Sequence, residues 1–296
     1  MIVREIEAKT LLSSATQPDP WFGIKYTMNL YRGCQHHCIY CDSRSECYGI
    51  ADFDGEVLVK VNALDLLRRE LPRKRVKGYI SAGSMNDPYM PLERERRLTA
   101  QALAVIAECG FPVHILTKSD LALRDVETFL AIEAAAGGPS PGAVISFTVT
   151  TADDDLARKI EPAAPPPSAR LAALATLAAR GLHTGIVLMP VLPFLTDSPE
   201  NIRQIVAAGH ESGARHVIPA FGVTLRDRQR AYFYRQLDQL FPDLRPRYER
   251  TFGGRYHAPA AATARLETVF AELAETYGLA RNVAAYQPAI AQLTLL

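Results

Sequence analysis

Along this chain the spacing of the hydrophobic residues switches repeatedly between two periods. Short runs rich in β-branched residues alternate with stretches where leucine, isoleucine and alanine recur every three or four residues, the signatures of strand and amphipathic helix. Ile24–Leu30 reads as a strand and Ala63–Leu71 as a helix. The alternation continues with strand Val76–Ser81 and helix Leu92–Glu108, strand Val113–Thr117 and helix Asp125–Ala135, then strand Ala143–Val149 and helix Ser168–Ala179. Strand Thr184–Met189, helix Pro199–Ser212 and strand His216–Ala220 complete six βα-like steps. Ser168 is placed to cap the alanine-rich helix and Gly181 to end it. Such alternation predicts a parallel sheet with right-handed crossovers, an α/β fold in the form of a partial (βα)6 TIM-type barrel. Residues 1–23 are then an N-terminal segment, 24–222 the partial barrel, and 223–296 a mainly helical C-terminal extension packed on it, with helices at Arg228–Leu240 and Ala260–Tyr277.

Composition agrees with a single enzyme-sized unit. At 296 residues, with 48% hydrophobic and 22% charged positions, the chain can bury a large core as one barrel domain. Its longest apolar stretches, such as Gly185–Phe194, are too short for a bilayer and are broken by prolines, and no charged-then-apolar leader opens the sequence. The expectation is a cytoplasmic protein without a membrane partner. Five cysteines, an odd number, suit a reducing compartment and a metal site better than a disulfide framework. A net charge of +1 excludes a globally basic surface, so any contact with nucleic acid must be local. Local excess exists at Arg226–Arg235, and at Arg245–Arg255, where Arg245, Arg247, Arg250 and Arg255 are interleaved with Tyr248, Phe252 and Tyr256. Such a mixture can grip phosphate and stack bases. The preferred reading is a solvated helix and its following loop.

The chemistry starts at Cys34, Cys38 and Cys41, three of the five cysteines within eight residues, with Tyr40 just before the last. Structural zinc and ordinary electron-transfer clusters take four protein ligands, and no fourth cysteine follows at ferredoxin spacing. Three thiolates leave one metal position open for a cofactor or substrate. Cys47 is the candidate fourth thiolate close in sequence, and His36 and His37 are the candidate nitrogen ligands for zinc. An iron–sulfur electron-transfer protein and a zinc-stabilised nucleic-acid-binding protein therefore stand as alternatives. In a barrel, the loops after the carboxyl ends of the strands converge on one face. The second such loop, Ser81–Glu93, is a glycine and serine turn able to bring carbonyls and polar side chains close to a ligand amine.

The cysteine spacing, with its aromatic residue, resembles the cluster-binding loop of the radical S-adenosylmethionine (SAM) superfamily. Gly33-Cys34, Tyr40-Cys41-Asp42, the run Asp87–Glu93, Leu116–Ser119 and Ile160–Pro162 resemble its spore photoproduct lyase-like branch over roughly residues 24–200. The resemblance implies a 4Fe-4S cluster on Cys34, Cys38 and Cys41, whose unique iron chelates the methionine part of SAM. One electron, from flavodoxin or ferredoxin, then yields a 5′-deoxyadenosyl radical that abstracts hydrogen from an organic substrate, a nucleic acid base or lesion among the candidates. By the same resemblance Tyr40 lies by the adenine, Ser84 and Asn86 meet the methionine amine, and Lys118 pairs with the carboxylate. Ser146 and Thr148, alternating on one face of the fourth strand, reach ribose hydroxyls. Met189–Pro193 edges the adenine, and Asp197 is placed to cap the helix beginning near Pro199. One departure bears on the reaction. The repair enzyme of that branch has a cysteine hydrogen donor near the second strand-end loop, whereas Ser81–Pro91 has none. Cys47, Tyr89 and Tyr256 are the remaining candidates for that part, and Cys109 is expected in the core.

Overall fold

A computed structural model of the chain describes residues 1–289. In chain order the strands are β1 (Ile2–Ile6), β2 (Leu12–Ser14), β3 (Ile24–Met28), β4 (Tyr31–Arg32), β5 (Glu56–Lys60), β6 (Tyr79–Ala82), β7 (Val113–Thr117), β8 (Ala143–Thr148), β9 (His183–Leu188), β10 (His216–Pro219), β11 (Gly222–Thr224) and β12 (His257–Pro259). Seven of them form one sheet in the order β10-β9-β8-β7-β6-β3-β2. From β3 to β10 every neighbouring pair is parallel, and only β2 runs antiparallel, on β3. The sheet does not close, so the six parallel strands make an open, partial barrel. At its centre all six residues of β8 are buried. A strand covered on both faces loses the polar alternation of a half-exposed one and reads as a continuous apolar run. Helices such as Leu98–Glu108, Val126–Ala136, Pro167–Ala179 and Pro199–Glu211 connect the parallel strands.

Local rules were overridden at several places. The second parallel strand begins at Tyr79 rather than Val76, which is 59% exposed. The alanine-rich helix starts at Pro167, where a proline costs no helical hydrogen bond. Ser168 therefore lies inside the first turn and donates its hydroxyl to Asp154 at 2.5 Å instead of capping. Asp197 does not cap the next helix either. Its two oxygens accept the N–H groups of Phe194 and Ala261, and Ser198 receives the Asn201 N–H as the cap. A second sheet, β1-β5-β4, was not foreseen. It pairs residues 2–6 with 56–60 in parallel, and β1 leaves three of its five residues exposed, so neither period nor proximity announced it.

The extension contributes the antiparallel pair β11–β12 and the helices Asp227–Leu240, Leu244–Phe252 and Thr263–Thr276. Its aromatic side chains Phe233, Tyr248 and Phe252 pack in one cluster with Cys38, Ile39 and Tyr40 of the cysteine loop. No helix among the described residues is long and apolar enough to cross a membrane.

Candidate functional site

The loop after β3 and β4 carries the three cysteines to the carboxyl ends of the parallel strands. Cys34 and Cys38 are buried and Cys41 is partly exposed. All three line one hollow of about 120 Å³, with Ser84, Asn86, Asp87, Thr117, Lys118 and Thr148. Cys47 is not among them. It is exposed, and its Sγ lies 3.0 Å from Arg226 Nη1. Burial pushes the Cys34 thiol up to about 12, with Asp87 adding to the rise, and burial raises Cys38 against the pull of Lys118. Among the described residues no three His, Cys, Asp or Glu side chains converge on a point that would hold a single ion. Soft thiols set around a hollow, with no fourth cysteine on its wall among the described residues, suit an iron–sulfur cluster with one open position.

Around this loop a buried frame fixes its shape. The Ile39 N–H donates to the Ile160 carbonyl at 2.9 Å, and the Ala163 N–H to the His36 carbonyl at 3.3 Å. The His36 ring spans from the Ala163 carbonyl, 3.2 Å from Nδ1, to Asp87 Oδ2, 3.1 Å from Nε2. Asp87 also accepts the Thr117 hydroxyl at 2.6 Å and the Lys118 and Tyr89 N–H groups at 2.7 and 2.9 Å. Burial alone would raise this carboxyl, but His36 and the Thr117 and Lys118 donors outweigh it and hold the group down at about 2. Asp87 thereby ties the cysteine loop to the ends of β6 and β7. On the other side the Tyr40 hydroxyl donates to Glu161, which pairs with Arg170 at 2.5 Å. Glu161 and Arg170 are both fully buried, and Arg170 Nη1 also donates to the Thr148 carbonyl at 2.9 Å. The Glu161 carboxyl is lowered because Arg170 and Lys118 overcome the effect of its burial.

A larger cavity of about 430 Å³ opens beside the hollow. Tyr40, Cys41, Ser84, Lys118, Thr148 and Met189 are on its wall. Gly83 makes the close approach there possible: its φ is +110°, and a Cβ would run into the Leu116 carbonyl, so the β6 turn packs directly on the end of β7. Two polar groups on the wall of the smaller hollow matter here. The Asn86 Nδ2 is buried without a partner among the described residues. Lys118 Nζ sits 5.7 Å from the Tyr40 ring centroid, and its charge is upheld against burial by Cys38 and Glu161. A cation that no hydrogen bond satisfies beside a cavity calls for an anion.

Of the anticipated site residues, the structure brings together Cys34, Cys38, Cys41, Tyr40, Ser84, Asn86, Lys118 and Thr148 and leaves out Ser146. Ser146 lies one alternation deeper in β8, fully buried, with its Oγ 2.7 Å from His114 Nε2 and 2.8 Å from His216 Nε2. His114 Nδ1 is 2.9 Å from the Phe22 carbonyl, and His216 Nδ1 is 3.2 Å from His183 Nε2. A carbonyl only accepts, so Nδ1 of His114 carries the proton there. Burial lowers His114 and His183 to about 4 and holds His216 well below its ordinary value, which keeps all three neutral. The tautomers then follow in one direction, from His183 N–H to His216, His216 N–H to Ser146, Ser146 O–H to His114, and His114 N–H to the backbone. Ser146 has its one donor committed to His114 and lines neither the hollow nor the cavity. Sequence reasoning gave no role to Asp87, Glu161 or Arg170. The first two sit in recognised runs, but Arg170 looks like a surface residue of an alanine-rich helix.

Comparison with known proteins is in keeping with this arrangement. The radical SAM superfamily profile matches residues 28–206. An uncharacterised protein of Mycobacterium tuberculosis is 35% identical over 263 residues, covering 87% of this chain and 76% of that protein. A protein of Pseudomonas phage M6 named radical SAM Nalpha-GlyT isomerase is 24% identical over 220 residues, 74% of this chain and 42% of the phage protein. A solved structure of spore photoproduct lyase complexed with dinucleoside spore photoproduct superposes with a TM-score of 0.68 at 16% identity, over 93% of this chain and 79% of that one. At that identity the likeness speaks for the fold. The family profile spans more than half of the chain and takes in the cysteine loop and the strand ends around it, so this protein is an enzyme belonging to the radical SAM superfamily.

Proposed function

We propose that Cys34, Cys38 and Cys41 hold a 4Fe-4S cluster, that SAM occupies the adjoining cavity, and that the enzyme acts on a nucleic acid base or lesion. The observation that carries this reading is the shared wall: three thiols line the hollow, and Lys118, whose Nζ makes no hydrogen bond among the described residues, borders both hollow and cavity. When bound, cluster and SAM together supply one-electron cleavage of a carbon–sulfur bond and an adenosyl radical able to abstract hydrogen. The protein's part is placement. Lys118 offers its ammonium to the SAM carboxylate, and the unpartnered amide of Asn86, with Ser84, faces the methionine end. Thr148 stands at the ribose level, and Tyr40, its hydroxyl tied to Glu161, presents a fixed ring to the adenine. Apolar Val187, Met189 and Pro190 help to exclude water from the remaining wall.

The substrate class rests on the fold shared with spore photoproduct lyase. In this reading residues 24–222 are the catalytic unit, 1–23 and 223–296 pack on it, the protein is cytoplasmic, and flavodoxin or ferredoxin supplies the electron. Iron and sulfide analysis with electron paramagnetic resonance (EPR) of the anaerobically reduced protein tests the cofactor part: a cubane signal that changes when SAM is added supports it, and a signal indifferent to SAM returns the electron-transfer alternative. The substrate part is tested by adding DNA or RNA oligonucleotides and following SAM consumption. Stimulation by one of them is expected, and indifference to both removes nucleic acid from the proposal.

A further inference from the structure

The arginine-rich start of the extension faces the cysteine loop instead of solvent. Arg226 Nε lies 2.9 Å from Asp42 Oδ1, Asp227 accepts the Ser45 hydroxyl at 2.9 Å and the Glu46 N–H at 3.1 Å, and Arg228 donates to the carbonyls of Ile50 and Ala51 at 2.9 and 3.1 Å. Two contacts in this set flank one cysteine. On the amino side of Cys41, the fully buried Gln229 amide donates to the Tyr40 carbonyl at 3.0 Å, while its own oxygen accepts the Arg226 N–H at 2.9 Å. On the carboxyl side, the Thr224 hydroxyl donates to Asp42 Oδ1 at 2.6 Å, and the Tyr48 hydroxyl to Oδ2 at 2.7 Å.

Cys34 and Cys38 are held differently. Their part of the loop is fixed by barrel residues: the Leu92 N–H donates to Gln35 Oε1 at 2.7 Å, Ile39 is bonded to Ile160, and His36 lies between Ala163 and Asp87. The hydrogen bonds around Cys34 and Cys38 thus come from the barrel, whereas those on either side of Cys41 come largely from the extension. We propose that Thr224 and Gln229 are positioning residues for Cys41, a clamp by which the C-terminal extension completes the cluster site. A side chain held in its working geometry before the ligand arrives does not have to be ordered on binding, so the clamp raises cluster occupancy and fixes its surroundings. Thr224 and Asp42 also line the 430 Å³ cavity, so a molecule filling that cavity meets the clamp directly. This inference rests on the reading of Cys41 as a cluster ligand.

Two near-isosteric variants isolate it. Gln229→Met keeps the buried volume and loses the donor to Tyr40 together with the acceptor for the Arg226 N–H, and Thr224→Val keeps the shape and loses only the hydroxyl to Asp42. The readout is the rate at which iodoacetamide alkylates each cysteine of the native, iron-free protein, resolved by peptide mass spectrometry. Expected is a rise of about fivefold at Cys41 in each variant, the size of effect that losing one buried hydrogen bond produces, with Cys34 and Cys38 unchanged within about twofold. The EPR lines of the reduced, reconstituted variants should broaden as well. Unchanged Cys41 reactivity in two folded variants, or an equal rise at all three cysteines, would overturn the clamp. A wild-type protein that assembles no cluster would instead overturn the functional reading beneath it, so the two failures are distinguishable.

Discussion

Two buried polar clusters sit on the same parallel strands, and they differ in one respect. At the carboxyl ends, Asp87, Glu161, Arg170 and Lys118 stand around the cysteine hollow, and the set is left open: among the described residues Asn86 Nδ2 is buried without a partner and Lys118 Nζ makes no hydrogen bond. Deeper in the sheet, His183, His216, Ser146 and His114 form a closed chain ending on the Phe22 carbonyl, in which each donor along the chain meets an acceptor. Burial of polar groups is costly in both places. The inner chain recovers that cost within the protein, whereas the outer cluster leaves part of it for a ligand to recover. Unsatisfied groups beside a cavity, more than buried polar groups as such, distinguish the reactive end of this sheet.

Breaking the frame of the open cluster should have the largest effect. Arg170→Ala leaves Glu161 buried and charged without its partner, and the expected loss is about 3–5 kcal/mol of stability in chemical denaturation. A loss below about 1 kcal/mol would mean that Glu161 is neutral or hydrated.

Acid should then find the closed cluster. His114 and His183 have pKa values lowered to about 4 by burial, while in the unfolded chain a histidine titrates near 6.5. Between those values the unfolded state binds protons that the folded state refuses, so stability falls as pH drops from about 6.5 towards 4, by on the order of 3 kcal/mol for the fully buried His114. Denaturant midpoints measured across this window check the sign, and replacing His114 with Gln should flatten the slope.

The smallest effects sharpen the contrast. Lys118→Met should weaken SAM binding by about 10- to 100-fold in calorimetry, the size of a lost charge-assisted hydrogen bond, with a smaller loss of melting temperature than Arg170→Ala. Ser146→Ala should do the converse, costing about 1–3 kcal/mol of stability and leaving SAM affinity unchanged. Exchange of these two outcomes would reverse the assignment of the open and closed clusters.

Most of the reactive end was legible because its signals are local. Three cysteines within one loop, the Ser81–Glu93 turn and Lys118 at a strand end each announce themselves within a few residues, and the alternation of periods places them on one face. What was not legible depends on pairing across long stretches of chain. Alternation put Ser146 on the same side of β8 as Thr148 but said nothing about depth, and its partners His114 and His216 come from β7 and β10. Asp197 was expected at a helix start, yet its carboxylate is taken by Phe194 and Ala261, the latter from the extension. The arginine run beginning at Arg226 read as a solvated helix, with a phosphate surface as the lesser alternative, and Arg226 and Arg228 instead bind Asp42 and the carbonyls of Ile50 and Ala51.

The central claim is that the cysteine hollow and the adjoining cavity form one reaction site. Anaerobic reconstitution with iron and sulfide, reduction by dithionite in the presence of SAM, and chromatography for 5′-deoxyadenosine test it most directly, with Cys38→Ala as the control. The account predicts 5′-deoxyadenosine from the wild type and none above background from the variant; an assembled, reducible cluster in the wild type that yields none would contradict it.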